Sequence, residues 1–116
     1  MRANEIMIGD YLKTFTQKIV KVKEIKQNCI YTEDNGYDYN EIEPITLTPE
    51  ILEKNGFESR KDGYDIGIPL LYWDKYCNAI CGWSHCDDII EIFDCRYVHQ
   101  LQHALRLCGI DKTIEL

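Results

Sequence analysis

A chain of 116 residues with 45% hydrophobic content, eight tyrosines and two tryptophans has the size of one globular domain, or of two small modules sharing a core. Its formal charge of −7 disfavours non-specific binding to nucleic acid, which needs a cationic surface. No run approaches the roughly 18 consecutive apolar residues of a membrane span, and the opening MRANEIMIGDYL meets Asn4, Glu5 and Asp10 before any signal-peptide core develops. A cytoplasmic location is expected. There the six cysteines (Cys29, Cys77, Cys81, Cys86, Cys95 and Cys108) would be thiols or metal ligands rather than disulfides, most of them small buried hydrophobes.

The charge is uneven. Residues 1–26 carry Arg2, Lys13, Lys18, Lys21, Lys23 and Lys26, whereas 31–43 carry Glu33, Asp34, Asp38, Glu41 and Glu43 with no base. The same first 47 residues read as short strands. In KIVKVKEI, Val20 and Val22 alternate with Lys21 and Lys23, the pattern of a half-exposed antiparallel strand. Asp34-Asn35-Gly36, between NCIYTE and YDYNEIEPI, predicts a hairpin turn at Asn-Gly.

LTPEILEKNGF predicts a two-turn helix. Thr48 caps it, Pro49 suits its first position, Glu50 favours its dipole, and Asn55-Gly56 ends it with Phe57 folding back on Leu52. FESR, a KDG turn and YDIGIPLLY then predict a second hairpin. Tyr64, Ile66, Ile68, Leu70 and Tyr72 would share one buried face of a single strand, with Pro69 marking an edge or a bulge. Residues 73–88 read as strand, loop and approach to the strand DIIEIF. A helix over 95–108 follows, capped by Asp94 and closed by Gly109. Tyr97, Val98, Leu101, Ala104, Leu105 and Cys108 form its apolar stripe, and DKTIEL would add a short edge strand.

HQLQH at 99–103 has the i, i+4 histidine spacing of zinc hydrolases, but Gln100 stands where the catalytic glutamate would be. Cys81-x4-Cys86-x12-His99-x3-His103 also satisfies the formal spacing of a two-cysteine, two-histidine finger. At roughly 100° per residue, however, His99 and His103 lie about 160–200° from the stripe centre at Leu101. That places them on the solvent face, away from any strand carrying the cysteines, and Arg96 occupies a position usually apolar in fingers. A set drawn from Cys77, Cys81, His85 and Cys86 matches no standard pattern.

Catalytic patterns are lacking. GWSHC has no second glycine for a nucleophile elbow, His85 and Cys86 are strand neighbours that point apart, and no C-x-x-C pair or glycine-rich phosphate loop occurs. Asp34, Asp87 and Asp88 read as turn formers. For binding, the lysine face of KIVKVKEI with Tyr11 and Phe15 is a candidate basic-aromatic surface. The acidic, tyrosine-rich 31–43 stretch is a candidate dock for a basic protein.

Three stretches together, MRANEIMIGDYL, I-x-PITLTPEILEKNGFE and YVHQLQ-x-ALRLCG, resemble a group of small uncharacterised proteins encoded by Bacteroides-type gut bacteria, their phages and integrated mobile elements. The likeness spans nearly the whole chain and implies a phage-related or mobile-element context without supplying a mechanism. In that group Asn follows YVHQLQ where this chain has His103, and segment 73–88 has no counterpart, so neither the histidine pair nor the cysteine cluster is a feature of the group.

The expected fold is α+β. A small β-barrel-like module, SH3-like in its strand count, covers 1–47, and a 48–116 module has an antiparallel sheet, one short helix and one longer C-terminal helix. The expected role is a non-catalytic interaction module with a protein partner and no cofactor, homo-oligomerisation being open. The alternatives are a nucleic-acid-binding accessory protein and a zinc-binding protein using Cys81, Cys86, His99 and His103.

Overall fold

The computed structural model describes residues 1, 3–67, 71–83 and 89–116. The chain is α+β, with three antiparallel sheets, one short helix and one longer one, and it divides into two compact units. The first unit holds residues 1–46 with 97–99. The second holds 47–96 with 100–116. No helix among the described residues is long and apolar enough to cross a membrane.

In the first unit, β1 (Tyr11–Thr14), β2 (Ile19–Lys21) and β6 (Ile42–Glu43) make one sheet in the order β2-β1-β6. A second sheet is β3 (Glu24–Ile25), β4 (Cys29–Tyr31) and β5 (Gly36–Asp38). The segment KIVKVKEI serves both sheets, and its alternation is realised: Val20 and Val22 are buried, Lys21 and Lys23 exposed. Ile6, Leu12, Val20, Val22, Ile30 and Ile42 form the core. The predicted β4–β5 hairpin is present, but its turn differs. Thr32 N–H donates to Asn35 O at 2.8 Å, and Gly36 already belongs to β5, paired with Tyr31. A Cβ on Gly36 would sit 2.9 Å from the ring of exposed Tyr31, which would have to turn aside. A 3-10 turn, Tyr39–Glu41, precedes β6.

In the second unit, α1 (Pro49–Lys54) starts as predicted: Ile51 N–H donates to Thr48 Oγ1 at 3.3 Å, with Pro49 in the first turn. It ends in a Schellman-type reversal, Phe57 N–H reaching Leu52 O at 3.1 Å across Gly56 in the left-handed region. The sheet runs β10-β9-β8-β7, built from β7 (Gly63–Asp65), β8 (Leu71–Asp74), β9 (Ala79–Trp83) and β10 (Ile89–Asp94).

The single strand expected from Tyr64 to Tyr72 is instead two antiparallel strands, β7 and β8, with Gly67 at φ 84° between them. Tyr64 pairs with Trp73 and Asp65 with Tyr72, so the two tyrosines lie on opposite faces although both are buried. Ile68, Pro69 and Leu70 lie outside the described residues. The alternation misled because both faces of this sheet are covered, so apolar residues on either face continue one apparent pattern. The stretch 73–88 contains a hairpin that composition hid: Asp74 Oδ1 accepts from Tyr76 N–H and Cys77 N–H at 2.8 and 3.0 Å, and Asn78 takes φ 51°. The tail forms no strand.

The long helix α2 is Val98–Leu107, not 95–108. Asp94 does not cap it, being the last residue of β10. The chain ahead of α2 is held by the 45–47 segment instead: Leu47 N–H donates to Arg96 O, Tyr97 bridges Thr46, and Val98 N–H donates to Ile45 O. Gly109 closes it as expected, at φ 74° with Ile110 N–H on Leu105 O.

Candidate functional site

Register and bulge arrange the second unit's sheet into two chemically different faces. Trp73 pairs with Ile80 and Ile80 with Phe93, placing those three on one face with Tyr64. Tyr72 pairs with Cys81 and Cys81 with Glu91, on the other face with Asp74, Ala79 and Asp94. Without the shift between Glu91 and Phe93 these two residues would share a face. The bulge separates them.

A cleft of about 160 Å³ opens between the end of β10 and α2, lined by Phe93 and its strand neighbour Asp94 together with Gln100, His103, Ala104 and Leu107. Helical spacing explains the α2 contribution, since positions 100, 103, 104 and 107 form one stripe. This stripe flanks the buried one formed by Leu101, Ala104 and Leu105. Leu107 is 84% exposed, and Phe93 and Ile92 are also exposed. The cleft has no sequence signal: His103 reads only as half of a histidine pair, Leu107 lies outside the buried stripe, and the bulge that sets the face of Phe93 has no residue signature.

On the other face from Phe93, burial pushes the Cys81 thiol up to about 11, with the Asp74 carboxylate adding to the effect. The same carboxylate raises exposed Cys77, and burial with Asp74 raises Tyr72. Burial alone takes Cys95 to about 12. Such thiols are protonated at neutral pH, the opposite of what a nucleophile or a ready metal ligand requires. The expectation that most cysteines are buried is corrected: of the five described, Cys81 and Cys95 are buried, Cys29 is intermediate, and Cys77 and Cys108 are exposed. Cys108 leaves the predicted stripe because α2 ends before it.

The zinc candidates are not brought together. Cys81 packs with Tyr72 and Ala79 in the sheet, whereas His103, on α2, lines the cleft beside Phe93. Cys86 and His85 lie outside the described residues. His99 is 4% exposed and stacked on Tyr97, with ring centroids 5.9 Å apart and planes 12° apart. It was expected in solvent. The helical wheel assumed one covered side, but Val98, His99, Leu101, Gln102, Ala104 and Leu105 are all buried, more than half the circumference. Among the described residues no three His, Cys, Asp or Glu side chains group as a metal site.

In the first unit, the outward side of β1 and β2 brings together part of the candidate basic-aromatic surface, without Phe15. Tyr11 pairs with Lys21, whose Nζ lies 5.8 Å from the ring centroid, and Lys13 pairs with exposed Ile19. The acidic stretch folds against this row rather than away from it. Glu43 reaches Lys13 at 3.6 Å and Asp34 reaches Lys18 at 3.7 Å.

No protein-family model, curated protein or solved structure matches the chain.

Proposed function

We propose that the chain is a non-catalytic cytoplasmic interaction module, of phage-related or mobile-element context, that binds a protein partner through the cleft beside β10. The observation that carries this reading is the concentration of exposed apolar side chains, Phe93 and Leu107 above all, around a recess too small for a cofactor. Small-molecule sites run from about 300 Å³ upward, whereas this cleft measures about 160 Å³. Such a recess suits one or two side chains of a partner. The context rests on the sequence resemblance. The N-terminal unit reads as a small SH3-like barrel, supported by one segment serving both sheets and by the 3-10 turn ahead of the last strand.

The nucleic-acid reading draws on the Tyr11–Lys21 row, but pairing of Lys13 and Lys18 with carboxylates lowers the field that a phosphate backbone would feel. The test is a photo-crosslinking amino acid placed at position 107 of the full chain, expressed in a Bacteroides-type host. One protein should crosslink from that position and co-purify stoichiometrically, and none should crosslink from exposed Glu58. Recovery of nothing specific, or a salt-dependent shift of DNA or RNA in a gel, would overturn the reading.

A further inference from the structure

Strand β10 has β9 on one side and no described strand on the other. That edge, unpaired among the described residues, runs beside the cleft, since Phe93 and Asp94 belong to both. An open edge recruits extended chain through main-chain hydrogen bonds, and pockets for alternate side chains then supply specificity. The two faces that such a strand would meet differ. On one lies the exposed carboxylate Glu91, with Asp94 following at the strand's end where it also borders the cleft; on the other, Phe93 lines the cleft with the α2 stripe that ends in Leu107.

We infer that the edge of β10 and the cleft beside it take an extended segment of a partner protein, added as a fifth strand, in which basic and apolar side chains alternate. The inference rests on the interaction-module reading and names the chemistry of the partner. Basic side chains of the segment face Glu91 and Asp94, and apolar ones enter between Phe93 and Leu107. The nearby bases, Arg96 and Arg106, belong to the turn before α2 and to the helix, so the charges of β10 itself are all acidic. The same charges argue against a second copy of this chain. Two β10 edges paired antiparallel with Glu91 opposite Glu91 or Asp94 would set carboxylate against carboxylate, which destabilises a sheet, in a chain already at −7. The bulge at Ile92 shortens the ladder available to the segment, so the apolar anchor carries most of the affinity.

The probe is a fluorescently labelled peptide of alternating lysine and leucine, KLKLKLK, titrated with the full chain and read by anisotropy. Its controls are the same composition without alternation, KKLLLKK, and the acidic ELELELE. Wild type should prefer KLKLKLK over both. Leu107→Ser, at a position too exposed to affect folding, should weaken binding roughly tenfold, as expected when a central apolar anchor loses its pocket. The double reversal Glu91→Lys with Asp94→Lys should transfer the preference to ELELELE. Equal binding of KKLLLKK, no response to Leu107→Ser, or no binding at all would overturn the inference. So would a native mass showing a dimer that Leu107→Ser dissolves. A specific crosslink from position 107 to a protein whose contact segment lacks this alternation would sink the inference and leave the proposed function standing. An absence of any crosslink would sink the proposed function itself.

Discussion

The side chain of Asn55 completes a backbone-like pair with Glu115. Its Nδ2 donates to Glu115 O at 2.8 Å, and its Oδ1 accepts from Glu115 N–H at 2.6 Å. A further Nδ2 bond to Ile51 O at 2.8 Å ties the same amide to α1. One residue thus ends the helix and holds the C-terminal tail, where Ile114 is buried to 1%. An amide is required, because only it presents donor and acceptor together.

Asn55→Ala should therefore cost about 1–3 kcal/mol, since it removes three part-buried hydrogen bonds worth roughly 0.5–1.5 kcal/mol each. Asn55→Asp, near in shape, should be at least as harmful, because a carboxylate offers no donor to the carbonyls of Ile51 and Glu115. Urea denaturation reads both. Deleting residues 113–116 should cost more, because buried Ile114 goes with Glu115, and should cut the cost of Asn55→Ala to that of its remaining bond to Ile51 O. Full additivity of the two changes would show that the side chain acts elsewhere.

Two glycines separate steric from conformational demand. At Gly63 a Cβ would lie 1.8 Å from Trp73 O, inside the β7–β8 pair. Gly56 has open space but φ +79°. Gly63→Ala should cost about 3 kcal/mol or more, because the strands must part. Gly56→Ala should cost about 1–2 kcal/mol, the left-handed penalty alone. Thermal denaturation of the two variants should rank them in that order. The reverse ranking would mean that β7 and β8 pair in another register.

Local signals were readable and tertiary ones were not. Thr48, Pro49 and Gly56 announced α1 because caps act within a few residues, and Val20 with Val22 announced a half-exposed strand because its period is local. Tyr64 and Tyr72 were misassigned to one face because their sheet is buried on both sides. His99 was placed in solvent for the same reason, since α2 is covered around most of its circumference. The cleft depends on an extra residue in β10. Whether Phe93 shares a face with Glu91 is set by pairing with β9, and nothing within IIEIFD encodes it.

Cys95 links pH to stability. Its thiol is pushed up from 9.0 to about 12 by burial, so between those values the unfolded chain ionises this group while the folded chain does not. The folded state then holds the extra proton, and stability falls as pH rises through that window. The contribution is fully present below pH 9. Cys81, raised to about 11, acts in the same direction over a narrower range. Cys95→Ala should be less stable than wild type at pH 8, with the gap between their urea midpoints shrinking from pH 9 to 11. A gap that stays constant from pH 9 to 11 would mean that the thiol ionises as freely in the fold as in the unfolded chain.

The metal question reduces to Cys81 and His103. A zinc ion binds its ligands at about 2.0–2.3 Å, so Cys81, packed with Tyr72 and Ala79 in the sheet, and His103, on α2 beside Phe93, do not share one in this arrangement. Cys81 would in addition have to give up a proton held to about 11 while leaving its packing against Tyr72. Protein purified under reducing conditions without chelator should therefore show a native mass equal to that of the bare chain. Added zinc should leave its melting temperature unchanged in wild type and in Cys81→Ser alike. A mass excess of one zinc, lost together with the fold on chelation and absent from Cys81→Ser, would require β9 to present Cys81 on the side of α2. That in turn would require a one-residue slip against β8, moving Trp73 out of register with Ile80 and breaking its 2.7 Å bond to Cys95 O.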